Sequence, residues 1–152
     1  MFGAVYAADG EATDTLIEVA REFSPRIEIG GPQVVLDLSG STRLFGDARA
    51  TGEALLRTAA DRGLRVRVAM AGTRTAARLL ALSAGRVLSD PAGRQVPKDP
   101  PYSVIVVDPG TEAAALAPLP IDLLAVLAHD DPRTSHLRPH RRTVAPSHPR
   151  TS

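Results

Sequence analysis

A single α/β domain is the fold class this sequence predicts, and three observations carry the prediction. Residues 64 to 70 alternate, with Leu64, Val66, Val68 and Met70 interleaved with Arg65, Arg67 and Ala69, the period of a strand that turns one face to a core. Residues 34 to 38, Val-Val-Leu-Asp-Leu, are almost continuously apolar, as in a strand covered on both faces. Between such runs lie stretches with helical spacing and helix-starting residues. Strand and helix therefore alternate along the chain, and one sheet with helices mainly on one face is expected.

Each element follows from local chemistry. Phe2 to Ala7 is a short apolar run read as a strand, and Asp9-Gly10 is read as a turn. Asp14 is a candidate N-cap for a helix that places Leu16, Ile17, Ala20 and Phe23 on one side, and Pro25 ends that helix by disfavouring helical geometry at Ser24. Gly30-Gly31-Pro32 breaks the chain, so the next strand starts at Gln33 and runs to Leu38. Gly40 to Gly46 is expected to be a loop. Asp47 then caps a helix burying Leu55, Leu56 and Ala59 and stopping at Gly63. After the alternating strand, Thr73 is a good N-cap for a helix to Ala84. Arg86 to Ser89 and Tyr102 to Val107 read as strands flanking a Pro-rich loop, Asp90 to Pro101. Asp108-Pro109-Gly110 is a turn, Thr111-Glu112 opens a short helix through Ala117, and Ile121 to Leu127 is a last helical segment.

Composition bounds the function classes. The chain has 152 residues, 43% of them apolar, enough for one core and too few for two comfortable domains. With no Cys, disulfides and thiolate metal sites are excluded, as suits a reducing compartment, and a cytoplasmic location is expected. No run approaches the ~18 apolar residues of a membrane span, and the start lacks the basic region of a signal peptide. Net charge is +1 overall. Residues 129 to 152 hold five Arg against two Asp, a net of +3, so residues 1 to 128 carry −2 and are no basic nucleic-acid clamp. That last stretch has four His and four Pro and only Leu137, Val144 and Ala145 among apolar side chains, so a domain over 1–127 followed by a disordered tail over 128–152 is expected. The histidines are spaced by seven, four and eight residues in a Pro-broken chain, which no helix could gather around a metal.

Three motif groups carry a family resemblance. Phe23-Ser24-Pro25-Arg26-Ile27-Glu28 is followed by Leu36-Asp37-Leu38-Ser39-Gly40 and by Arg43-Leu44-Phe45-Gly46. Val68-Ala69-Met70-Ala71-Gly72-Thr73-Arg74, continued by Thr75-Ala76-Ala77-Arg78, forms a strand-to-helix segment. Pro109-Gly110-Thr111-Glu112 leads into Leu119-Pro120. Together these resemble the palm of Y-family translesion DNA polymerases, most closely the ImuB-like branch, over roughly residues 1 to 127. The resemblance implies a ferredoxin-like palm, and it places Arg74 and Arg78 on the two Lys positions of the family's strand-to-helix segment.

Measured against that family, the palm carboxylates are replaced. Aligned on Leu36-Asp37, the adjacent Asp and Glu of active members fall on Pro32 and Gln33, and the first-strand Asp falls near Ala8. Neither a proline nor a neutral glutamine supplies the anionic oxygens that hard cations need. The expectation is therefore a chain that is no enzyme and holds no metal or cofactor. Only about fifteen residues separate the first strand from Phe23, where the family has a fingers region, and the thumb and C-terminal DNA-gripping domain are also missing from this sequence.

Candidate sites are correspondingly modest. Arg74 and Arg78 lie four apart on one helical face after a Gly-Thr turn, where a phosphate could meet both; a solvated helix face is the other reading. Arg65 and Arg67 could track a nucleic-acid backbone, or in an open sheet merely face solvent. In the tail, Arg138, Arg141 and Arg142 could touch nucleic acid weakly and nonspecifically. Asp9 and Asp37 could approach on adjacent strands, though Asp9 precedes a turn glycine. Two functions from different classes follow. One is an ImuB-like protein of translesion synthesis that acts by contact with an error-prone polymerase, a RecA-like partner or the sliding clamp, although no Gln-x-x-Leu-type clamp peptide is present in the tail. The other is a free-standing small α/β interaction domain, or a truncated gene remnant, without a repair role.

Overall fold

The computed structural model describes residues 1–7, 13–40, 42–84 and 104–129. Elements follow in the order β1 (Phe2–Ala7), α1 (Asp14–Phe23), β2 (Ile27–Gly30), β3 (Gln33–Asp37), α2 (Thr42–Phe45), α3 (Ala48–Asp61), β4 (Val66–Ala71), α4 (Arg74–Ser83), β5 (Val104–Val106), α5 (Glu112–Leu116) and α6 (Asp122–His129). Five strands form one sheet in the order β2-β3-β1-β4-β5. The first four are antiparallel to their neighbours and β5 pairs parallel with β4. The expected mixed α/β fold is present. The run β1-α1-β2-β3-α3-β4, with β1 and β3 central, has the connectivity of a ferredoxin-like unit, to which α4 and β5 are added.

Both faces of the sheet are covered. On the first face, α1 and α3 pack Leu16, Val19, Phe23 and Leu55 against Val5, Val34, Leu36, Val66, Val68 and Met70. On the second, α4 packs Ala76, Ala77, Leu80 and Ala81 against Ala4, Val35, Ala69 and Ala71. Beyond α4, Leu79 and Leu82 meet Leu123 and Leu127 of α6. This double cover explains why Val68, Ala69 and Met70 are all buried in one strand, where one-sided alternation would expose every second residue.

Register is as the alternation requires. Val66 and Val68 are buried and Arg65 is exposed, so the pleat has the expected phase. Helix starts are set by side chains: Asp47 Oδ1 accepts from the Ala50 N–H at 2.7 Å and Thr73 Oγ1 from the Ala76 N–H at 3.3 Å. Four readings change. The cap of α1 is Thr13, whose Oγ1 accepts from the Leu16 N–H, and Asp14 is the first helical residue, where its charge suits the helix dipole. Ile27–Gly30 is a strand, paired with β3 through a turn at Gly31-Pro32 that Gly31 enters at φ +52°. Residues 42–45 within the expected loop form a helical turn, and β4 runs from 66 to 71, two residues late at its start. The expected strand at 86–89, the loop at 90–101 and the tail from 130 onward lie outside the described residues, as do Ala8 and Asp9.

Candidate functional site

The pieces of the first motif group meet at one structural joint. Phe23 is buried at the end of α1 and its ring tilts against Phe45, with centroids 4.9 Å apart. Ser24 is also buried. Its hydroxyl donates to the Asp37 carbonyl at 2.7 Å and accepts from the Arg26 N–H at 3.1 Å, while the Asp37 N–H donates to the Arg26 carbonyl. The Phe-Ser-Pro-Arg and Leu-Asp-Leu-Ser segments are thus stitched together through buried polar atoms. Asp37 Oδ1 accepts from the Ser39 N–H at 3.0 Å, and Arg26 stands 3.5 Å from the same carboxylate. The Ser39 hydrogen bonds, and then Arg26, hold the Asp37 carboxyl below the usual carboxylate range.

On the α4 side of the sheet, strand register lines up three cross-strand rows. Asp37, Phe2 and Ala71 are paired in one, and Glu28, Val35, Ala4 and Ala69 in the next. The third contains Gly30, Gln33, Tyr6 and Arg67. The alanines at the centre let α4 lie close to the sheet, and the polar residues are left to the margins. Near the β2 edge, Phe2, Arg26, Glu28, Val35, Asp37 and Arg74 line a cleft of about 300 Å³. Its charges are matched within the protein, Arg26 to Asp37 and Arg74 to Glu28.

The third row is built differently. Gln33, 1% exposed, donates through Nε2 to the Arg78 carbonyl at 2.9 Å, and its Oε1 accepts from Arg78 Nε at 3.2 Å. A buried amide satisfied in both directions by one residue locks α4 to β3. Beside it, the Ala7 N–H donates to the Pro32 carbonyl at 2.8 Å, tying the end of β1 to the β2-β3 turn. Arg67 lies over the Tyr6 ring at 5.4 Å from its centroid.

The sequence candidates therefore separate. Arg74 and Arg78 do share one side of α4, but each meets a different neighbour, Glu28 for Arg74 and Gln33 for Arg78. Arg67, expected on an open solvent face, is half-buried because α4 covers that face, and Arg65 is exposed. Arg138, Arg141 and Arg142 lie outside the described residues. Among the described residues no three His, Asp or Glu side chains gather as a metal site, and no helix is long and apolar enough to cross a membrane. Sequence reasoning missed the role of Gln33 and the strand β2. The alternation of Ile27, Glu28 and Ile29 before Gly30-Gly31 was the available signal for the strand.

A third joint involves the Pro-Gly-x-Glu motif. The Gly110 N–H donates to Glu112 Oε2 at 2.7 Å. A Cβ placed on Gly72 would collide with the Glu112 carboxylate and stand 3.0 Å from Pro109 Cα, so this turn seats directly on the β4-α4 corner.

Comparison with known proteins gives one informative relative. The chain is 33% identical over 113 residues to a protein named DNA polymerase IV 2 from Mesorhizobium japonicum, a match covering 73% of this chain and 24% of the relative. The chain spans about a quarter of the length of the curated relative it matches. No family model matches, and no solved structure matches. Over 73% of its length the chain is thus similar in sequence to part of a protein that bears the name of a DNA polymerase. This finding overturns the expectation that the chain is no enzyme: the relative it matches bears the name of an enzyme, and replaced residues at Pro32 and Gln33 are not a demonstration of lost activity.

Proposed function

We propose that this chain is the palm-like module of a protein of DNA repair by translesion synthesis, that it belongs with the ImuB-like branch, and that it works in the cytoplasm through contacts with an error-prone polymerase or a RecA-like partner. The observation that carries the reading is the match to a DNA polymerase IV over 113 residues. Two features support it. The ferredoxin-like unit β1-α1-β2-β3-α3-β4 is the scaffold a palm needs. The segment around Pro109, Gly110 and Glu112, on which the ImuB-like assignment rests, is a structural clasp against Gly72. Nonspecific DNA contact through Arg65, Arg138, Arg141 and Arg142 would add weak, salt-dependent affinity, with dissociation constants of about 10⁻⁴ to 10⁻⁶ M.

The test is genetic and biochemical together. Deleting the gene should lower the frequency of damage-induced mutations, and the tagged full chain should co-purify with an error-prone polymerase or a RecA-like recombinase from cells with damaged DNA. An unchanged mutation frequency and no such co-purification would overturn the proposal and favour a free-standing domain without a repair role.

A further inference from the structure

The sheet ends at β2, and among the described residues no strand pairs with its outer side. Hydrogen-bond phase fixes which groups face outward there. The bonds from the Ala7 N–H to the Pro32 carbonyl and from the Leu38 N–H to the Met1 carbonyl aim the even-numbered residues of β3 at β1. Gln33, Val35 and Asp37 are thus aimed at β2, as the 3.0 Å bond from the Asp37 N–H to the Arg26 carbonyl records. Their partners Arg26, Glu28 and Gly30 turn inward, and the N–H and C=O of Ile27 and Ile29 turn out. Side chains sort by the same alternation. Ile27 packs with the α1 and α3 face, and Ile29, two residues on, is 44% exposed. Arg26 and Glu28 lie on the α4 face, where both line the cleft of about 300 Å³. The Arg26 side chain is 80% exposed at 3.5 Å from Asp37, so most of its guanidinium is open to a further partner.

We propose that this edge is an interface for a second copy of the chain, whose β2 adds antiparallel across a two-fold axis at Ile27 and continues the sheet through both molecules. Outward residues must oppose outward residues, which leaves registers with the axis at Ile27, Glu28 or Ile29. An axis at Glu28 sets the two Glu28 side chains directly opposite, a like-charge pair. An axis at Ile29 sets Ile27 opposite Gly31, where the chain has already turned at φ +52°. With the axis at Ile27, Arg26 stands opposite Glu28 of the copy and Glu28 opposite its Arg26, in the non-hydrogen-bonded positions where side chains come closest. The Ile27 N–H and C=O then bond reciprocally across the axis. The same register sets the exposed Ile29 opposite the exposed Pro25 of the copy, whose carbonyl accepts from the Ile29 N–H and whose missing N–H ends the pairing. Like charges on an edge strand guard it against such pairing, but here the signs alternate and the edge is complementary to itself. The contact is isologous and short, so the dimer is a weak one. It does not rest on the repair role proposed above, since it follows from β2 alone.

The test is the mass of the full chain in solution, followed by sedimentation equilibrium at low salt up to about 1 mM, where a weak contact is populated. The weight-average mass should rise with concentration toward that of two chains, and the Ile27 and Ile29 amides should gain protection from hydrogen exchange as it does. Arg26→Glu and Glu28→Arg each turn both opposite-charge pairs into like-charge ones, and each alone should weaken association about tenfold or more. Mixed in equal amounts, the two variants should associate again, because each copy then meets the opposite sign. Arg57→Glu, on the exposed side of α3, which packs over β4 and β5, is the control and should associate as the wild type does. Circular dichroism and melting establish that each variant is folded, and the wild-type mass and exchange measurements decide the matter without them. A chain that stays monomeric at about 1 mM overturns the proposal. So does a dimer in which the Ile27 and Ile29 amides gain no protection, or a folded Arg26→Glu chain that associates as the wild type does. Protection of those amides in the monomer would put another segment of the same chain on the edge, and would equally overturn the second copy as its occupant.

Discussion

The two faces of the sheet solve the same packing problem with different materials. Against α1 and α3 the interior is made of large side chains, Leu16, Phe23, Leu36, Leu55 and Met70. Against α4 it is made of Ala4, Ala69, Ala71, Ala76, Ala77 and Ala81, with Val35 and Leu80. Burial of apolar area is worth roughly 25 cal/mol per Å², so the first face supplies most of the hydrophobic stabilisation. The alanine face contributes less area but brings helix and sheet into close approach. That approach is what lets Gln33 reach the Arg78 backbone and Arg67 lie on Tyr6. The lesson is a division of labour: the thick face holds the fold, and the thin face positions polar groups.

Four substitutions break or sharpen this contrast, in falling order of expected effect. Leu55→Ala removes a fully buried side chain from the thick face and should cost about 2–5 kcal/mol, read as a lower denaturant midpoint. Ala69→Leu inserts bulk where α4 has no room and should cost about 1–3 kcal/mol; an unchanged melt would mean that α4 can lift off and that the thin face is not close-packed. Gln33→Ala leaves the Arg78 carbonyl without its side-chain donor beside an emptied site and should cost about 1–3 kcal/mol, with faster amide exchange in α4 than in α3.

The smallest effect is pH-dependent. The Asp37 carboxyl is held below its ordinary value of 3.8, so the folded state favours its ionised form. Its contribution is present above that value and is lost as pH falls through the lower folded one. Asp37→Asn should therefore be slightly less stable than the wild type at neutral pH, by less than about 1 kcal/mol, with the two curves converging in strong acid. A difference that grew on acidification would reverse the assigned sign.

How much of this was legible in the sequence depended on whether the signal was local. The caps Asp47 and Thr73 and the register of Val66 and Val68 were readable because each rests on neighbours a few residues away. The second cover of the sheet was not. Val34-Val35-Leu36 did announce a strand buried on both faces, but nothing local said which helix lay on the second one. The sequence shows Gln33 only as a missing acid, since its partner Arg78 is forty-five positions away and the reciprocal bond exists only once α4 crosses β3. Asp14 lost the cap to Thr13 by one residue, the usual resolution of two adjacent cap-forming side chains. The pairing of Arg74 with Glu28 is similarly hidden, the two residues lying forty-six positions apart.

The clasp between Glu112, Pro109 and Gly72 separates the register of β5 from the connection that precedes it. β5 pairs with β4 in parallel, and α4 and β5 are separated in sequence by residues 84 to 103. Because the clasp and the Val107 N–H to Met70 carbonyl bond of 2.9 Å fix the far end of β5 directly on the β4-α4 corner, its register does not depend on the length of that connection. Doubling the length of a loop costs in general only about 0.6 kcal/mol of closure entropy. Changes in the number of residues between Ala84 and Val104 should therefore leave β5 in register, whereas Gly72→Ala should displace the turn that carries Glu112.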